Sequence, residues 1–145
     1  MLQLKINDID IPTVSIILSS KIILREEYGE RFDIDIETGI IKIKLTTLCL
    51  KGEFQLSEQD YFTSWLNQTS NHGLRKFELI SEGQIIKASN CFITQIAFPK
   101  YSTDNLKSNV EFEAEFSFDL AEWTITDPKL IPEIQIKRKS YVNCF

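Results

Sequence analysis

The sequence predicts a mainly β fold, an antiparallel β-sandwich or partly closed barrel with one flanking α-helix over about residues 57–71. Apolar and polar residues alternate with period two in several segments, most strictly from Val110 to Phe118. Turn-forming pairs, Thr38-Gly39 and Glu82-Gly83, separate two sets of such runs. Only Leu56 to Gly73 carries the three-and-four spacing of a helix. The chain has 145 residues, 43% of them hydrophobic and 26% charged, which suits one globular domain with a real core.

Leu2 to Ile6 alternates as a first strand, and Asn7-Asp8 interrupts it. Ile9 to Pro12 leads into a strand over Val14 to Leu18, with Pro12 at its start, where a missing N–H donor is tolerated. Ile22 to Leu24 continues, and Glu26 to Glu30 forms a loop. In Phe32 to Leu45, Phe32, Ile34 and Ile36 alternate with Asp33, Asp35 and Glu37, and Ile41, Ile43 and Leu45 alternate with Lys42 and Lys44. A hairpin closed by Ile36 and Ile41 sets Ile34 opposite Ile43, Asp35 opposite Lys42 and Asp33 opposite Lys44. A slip of one residue would set Asp against Ile throughout, so core and charge favour one register. This hairpin is expected to be long and to project toward a neighbouring subunit.

In the helix, Ser57 is the N-cap, and Glu58, Gln59 and Asp60 supply acceptors and negative charge to the first turn. Leu56 and Tyr61 have the spacing of a hydrophobic staple. Phe62, Trp65, Leu66 and Thr69 share one face, and Asn71-His72-Gly73 ends the helix. Aromatic rings on one helical face are core material, so this helix is a plug laid against a sheet.

Arg75 to Ile80 and Gln84 to Ala88 form a second hairpin, pairing Ile80 with Ile85, Glu78 with Lys87 and Phe77 with Ala88. Alternation stumbles at Ser89-Asn90, which marks a bulge before Cys91 to Phe98. Val110, Phe112, Ala114, Phe116 and Phe118 point inward, and Glu111, Glu113 and Glu115 point outward. Ala121 to Thr126 is one more short strand. Residues 1–126 thus form a single β-sandwich domain with an inserted helix, and Pro128 and Pro132 set off a C-terminal arm, 127–145. Ile134 and Ile136 alternate with polar residues in that arm, enough for a strand that docks on an adjacent molecule or completes the chain's own sandwich.

The chemistry is that of a non-enzyme. His72 is the one histidine, with no metal-ligand partner at spacing. No serine or cysteine stands in a nucleophile context, the carboxylates lack an apolar pocket, and the five glycines form no phosphate loop. No cofactor and no metal are expected. A net charge of −5 argues against specific nucleic-acid binding, which needs clustered Lys and Arg. The first residues lack the layout of a signal peptide, and Val14 to Leu24 is too short and too polar to span a membrane. Cys49, Cys91 and Cys144 are expected as free thiols, with Cys49 and Cys91 buried in strands.

The order of elements carries a resemblance. The strand Leu4-Lys5-Ile6-Asn7-Asp8-Ile9-Asp10-Ile11-Pro12 is followed by a charged hairpin, a helix with Phe62 and Trp65, another hairpin and a glutamate-rich strand. Over roughly residues 2–126 this resembles small tail proteins of tailed bacteriophages and contractile injection systems: tube, tube-initiator, distal-tail and terminator subunits. The resemblance implies a structural subunit that assembles as a homo-oligomeric ring around a channel. Its partners would be other tail or baseplate proteins, and its location the virion tail or the bacterial cytoplasm during assembly. On that basis Asp33, Asp35, Lys42, Lys44, Lys137, Arg138 and Lys139 are candidate assembly residues, and Glu111, Glu113 and Glu115 a candidate channel or acidic face. A β-sandwich that binds a protein or glycan on one face is the alternative.

Overall fold

A computed structural model describes residues 2–55, 59–67, 73–98 and 109–138. Among the described residues ten strands and one α-helix follow in order: β1 (Leu2–Ile6), β2 (Ile9–Ile11), β3 (Thr13–Leu18), β4 (Lys21–Arg25), β5 (Arg31–Ile34), β6 (Ile41–Gln55), α1 (Gln59–Leu66), β7 (Arg75–Ser81), β8 (Gln84–Ala97), β9 (Asn109–Ile125) and β10 (Glu133–Lys137). Eight strands make one antiparallel sheet, ordered β2-β1-β7-β8-β9-β6-β3, with β5 also on β6. The sheet curls strongly into a half-barrel. Ile11 on β2 pairs with Leu4, and Thr13 on β3 pairs with Phe54, so Pro12 alone links the two ends of the sheet order.

The curl has a local cause. Inward residues are odd-numbered from Ile41 to Leu45 on β6 and even-numbered from Leu48 to Phe54. On β8 the phase changes between Ala88 and Cys91, and on β9 between Phe118 and Ala121. Pairing matches Leu45 with Ala121 and Lys87 with Glu122 on one side, and Thr47 with Ser117 and Cys91 with Phe118 on the other. The alternation thus changes phase on three neighbouring strands at one level, with register shifts between β6 and β9 at Leu45/Thr47 and between β7 and β8 at Arg75/Phe77. Such irregularities bend a strand and increase its twist, and make a crease across the sheet. Asn90 Nδ2 donates to Asp119 Oδ2 at 2.8 Å on this line. The bulge expected at Ser89-Asn90 is thus present, but Ala121 to Ile125 is the far half of β9 rather than a separate strand.

Helix α1 fills the hollow. Phe62 and Trp65 are both 1% exposed. Phe62 lies 5.0 Å from Phe54 and 6.2 Å from Phe112 between ring centres, and Trp65 lies 5.8 Å from Phe116. Phe77 continues the seam against Phe116 and Phe118, each at 5.3 Å. The Trp65 indole N–H donates to the Gly73 carbonyl, and the Arg75 guanidinium stands 4.9 Å over both the Tyr61 and Trp65 rings. The helix is shorter than expected: it ends at Leu66, with Asn67 in a turn. The expected cap Ser57, staple residue Leu56, Thr69 and terminator His72 lie outside the described residues.

The β7–β8 hairpin has the register read from its sequence, with Ile80 opposite Ile85, Glu78 opposite Lys87 and Phe77 opposite Ala88. Gly83 takes φ 83° in its two-residue turn, as such turns demand. The β5–β6 hairpin differs. Phe32 pairs with Ile43, Asp33 with Lys42 and Ile34 with Ile41, two residues out of the expected register. The loop decides this: Gly39, at φ 74°, donates its N–H to the Asp35 carbonyl, and Asp35 N–H bonds the Ile40 carbonyl at 2.9 Å. Asp35 Oδ1 also accepts from Glu37 N–H at 3.0 Å, so Asp35 closes the turn instead of facing Lys42. A two-residue shift keeps every side chain on its face, which is why the core tolerates it. Ile36 falls in the loop, 95% exposed, and Ile34 is 55% exposed rather than inward. The hairpin does not project as a long unit, because β9 pairs with β6 as far as Ile41.

Strand β4 leaves the main sheet and pairs in parallel with β10, Lys21 with Glu133 through Arg25 with Lys137. Leu24 is fully buried, and Ile22 and Ile134 pack on the core beside it, so this ribbon is a small second layer. The segment 133–137 thus folds onto its own chain, the second of the two expectations for it.

Candidate functional site

The outer face of the half-barrel carries the acidic row expected from β9. Because Val110, Phe112, Ala114 and Phe116 are buried, Glu111, Glu113 and Glu115 point away from the core. Glu111 stands opposite Glu53 on β6, Glu113 opposite Lys51, and Glu115 opposite Cys49. Glu113 and Lys51 are 3.7 Å apart at exposed positions, and Thr94 Oγ1 donates to Glu115 Oε1 at 3.0 Å. Phe92, 44% exposed, lies opposite Ser117 at the end of this row.

Cys49 is exposed in that row, which corrects the expectation that it is buried; Cys91 is buried as expected. The phase change at Thr46-Thr47 turns Cys49 outward while Leu48 and Leu50 stay inside. Desolvation, then the carboxylate of Glu115, pushes the Cys49 thiol above its usual range. Burial alone pushes the Cys91 thiol up, much further.

The hairpin charges are arranged differently from the expected cross-strand pairs. Lys44 Nζ lies 2.5 Å from Glu122 Oε2 on β9, and Lys42 Nζ lies 3.8 Å from Glu122 Oε1. The Lys44 hydrogen bond, with the charges of Lys44 and Lys42 behind it, holds the Glu122 carboxyl below its usual range against a smaller desolvation effect. Asp33 sits 3.7 Å from Arg31 on its own strand. Asp35 is held low by the Glu37 and Thr38 N–H groups it accepts from, consistent with its place in the turn. Glu122 was not singled out from sequence. Its outward orientation is readable from Trp123 and Ile125, but its lysine partners follow only from long-range register.

Lys137 faces Arg25 across the β4–β10 ribbon, and exposed Arg138 follows it. Lys139 lies outside the described residues. The ribbon is a different sheet from the one bearing Glu111, Glu113 and Glu115, whereas Lys42 and Lys44 lie on the same sheet as those glutamates.

A further carboxylate escaped the sequence. Glu30, 7% exposed, accepts from Arg25 N–H at Oε1 (2.9 Å) and from Thr46 N–H (2.8 Å) and Thr46 Oγ1 (3.0 Å) at Oε2. It ties the ribbon to the crease of the main sheet.

Among the described residues no three His, Cys, Asp or Glu side chains group as metal ligands, and no helix is long and apolar enough to cross a membrane. The chain matches no family model, and comparison with curated proteins and with solved structures finds no match.

Proposed function

We propose that this chain is a structural subunit of a phage tail or phage-like contractile injection machine, one copy in a ring or tube around a channel. The reading rests on a curled antiparallel sheet of long strands packed on helix α1, taken together with the resemblance of the sequence's element order to such tail proteins. Strands β6, β8 and β9 span 15, 14 and 17 residues, and Lys51, Lys87 and Glu113 are exposed on them. Such a subunit works by presenting surfaces, to copies of itself and to other tail or baseplate proteins, and needs no catalytic group. A glycan- or protein-binding sandwich is less well supported, since among the described residues the exposed rings of Tyr28 and Phe92 sit on different elements.

Light scattering and negative-stain imaging of the purified full chain test the proposal. Rings or tubes of many copies are the expected result. A monodisperse 16.8 kDa species at every concentration reached would overturn it.

A further inference from the structure

The β4–β10 ribbon is an unusual element. Two-stranded sheets are marginal alone, and parallel strands are ordinarily covered on both faces. Here only one face is covered. Ile22, Leu24 and Ile134 pack inward, with Ile136 on the same side 49% exposed near the ribbon's end, while Lys21, Ile23, Arg25, Glu133, Gln135 and Lys137 are all exposed on the other face. That face carries three cations and one anion, with exposed Arg138 beside it, on a chain whose net charge is −5. Its centre is apolar, with Ile23 52% exposed.

Arg25 and Lys137 are register partners, two like charges side by side. On the main sheet Glu53 and Glu111 are partners in the same way with the opposite sign. Like charges directly opposite one another cost stability within a sheet. The acidic row also has an apolar neighbour, Phe92. Two faces of one molecule thus have opposite sign, the acidic one holding Glu53, Glu111, Glu113 and Glu115 against Lys51; each has an exposed apolar residue, and they lie on different sheets.

We infer that the outer face of the β4–β10 ribbon docks on the Glu111–Glu113–Glu115 face of a second copy of this chain, with Arg25 and Lys137 against the glutamates and Ile23 toward Phe92. Because the two faces differ, the contact is heterologous, and repeating it generates a closed ring or an open filament. The inference takes its partner from the assembly role proposed above and names the surfaces that role would use.

The test uses the full chain and two charge reversals at exposed positions, Arg25→Glu with Lys137→Glu, and Glu113→Lys with Glu115→Lys. Sedimentation velocity at low and high salt gives the size of each. Wild type is expected as an assembly that shrinks as salt rises, because screening weakens contacts between charged surfaces. Each reversed variant alone is expected as a monomer, and an equimolar mixture is expected to reassemble, since each reversed face then meets its complement. Cys49 lies in the acidic face, so its alkylation in the wild type is expected to slow on assembly, a readout independent of any variant. Wild-type assembly unaffected by salt and by both reversals, with Cys49 unprotected, would overturn this interface and leave the ring role standing. A wild type that is monomeric throughout would overturn both.

Discussion

Glu30 shows how one side chain can hold two layers together. Both carboxylate oxygens are acceptors, one for Arg25 N–H and the other for Thr46, so neither position has room for a donor. Glu30→Gln preserves shape but turns an NH2 group toward an N–H, and buried donors without acceptors are costly. The expected loss is about 1–3 kcal/mol in urea unfolding. Stability equal to wild type would show that the network is dispensable. Gly52 is the other sensitive position. A Cβ there would lie 2.1 Å from the Ser15 carbonyl oxygen and 3.1 Å from Ile16 Cα, both backbone atoms. Strand β3 is irregular between Thr13 and Ser15, across from Phe54 and Glu53, and Ile16 beside it is the register partner of Gly52. Gly52→Ala is therefore expected to cost about 1–3 kcal/mol, measured by thermal or urea unfolding, by forcing the two strands apart.

At the scale of elements, the outer lysines of β6 are bound to β9 through Glu122. Its carboxyl is held low in the folded chain, so this contribution is present above the unfolded glutamate range, about pH 4, and is lost as pH falls through the folded value. Glu122 is 39% exposed, so the contribution is small, below about 1 kcal/mol, and weakens with salt. Melting temperature followed down through that range should fall less steeply for Glu122→Gln than for wild type. Parallel curves would assign the acid sensitivity elsewhere. Several elements were legible because their signals are local: the period of β9, the Glu82-Gly83 turn that fixes β7 against β8, and the Phe62–Trp65 face of α1. The β5–β6 register was not, because a four-residue loop can close in two ways and the position of Gly39 decides between them. Within Thr46 to Gln55 the sequence places only Cys49 in a strand, and on the wrong face. The phase change at Thr46-Thr47 breaks the alternation there, and only its match with breaks on β8 and β9 shows it to be a crease. Of the candidate site, the outward glutamates were legible and the lysine partners were not, since Glu122 is distant in sequence.

For the whole molecule, the ribbon is part of the core and not an appendage. Removing residues 133–145 uncovers Ile22 and Leu24 and leaves β4 without a partner. Exposing a fully buried leucine costs about 1.5–3 kcal/mol, so the truncated chain is expected to melt about 5–10 °C lower. An unchanged melting temperature with altered assembly would return the segment to the role of an intermolecular arm.

The strand pairing also sets a timetable for synthesis. Strand β1 pairs with β7, about half the chain away, and β4 pairs with β10, the final strand of the series. As the chain leaves the ribosome, β1 and β2 can pair with each other, but β3, β4 and β5 emerge before β6 and β10, the strands they pair with. Such distant pairings bring folding into the slow range of β proteins, milliseconds to seconds. The nascent chain therefore carries exposed strand edges until its last strand is released, and that interval, more than the finished fold, is where a chaperone would act.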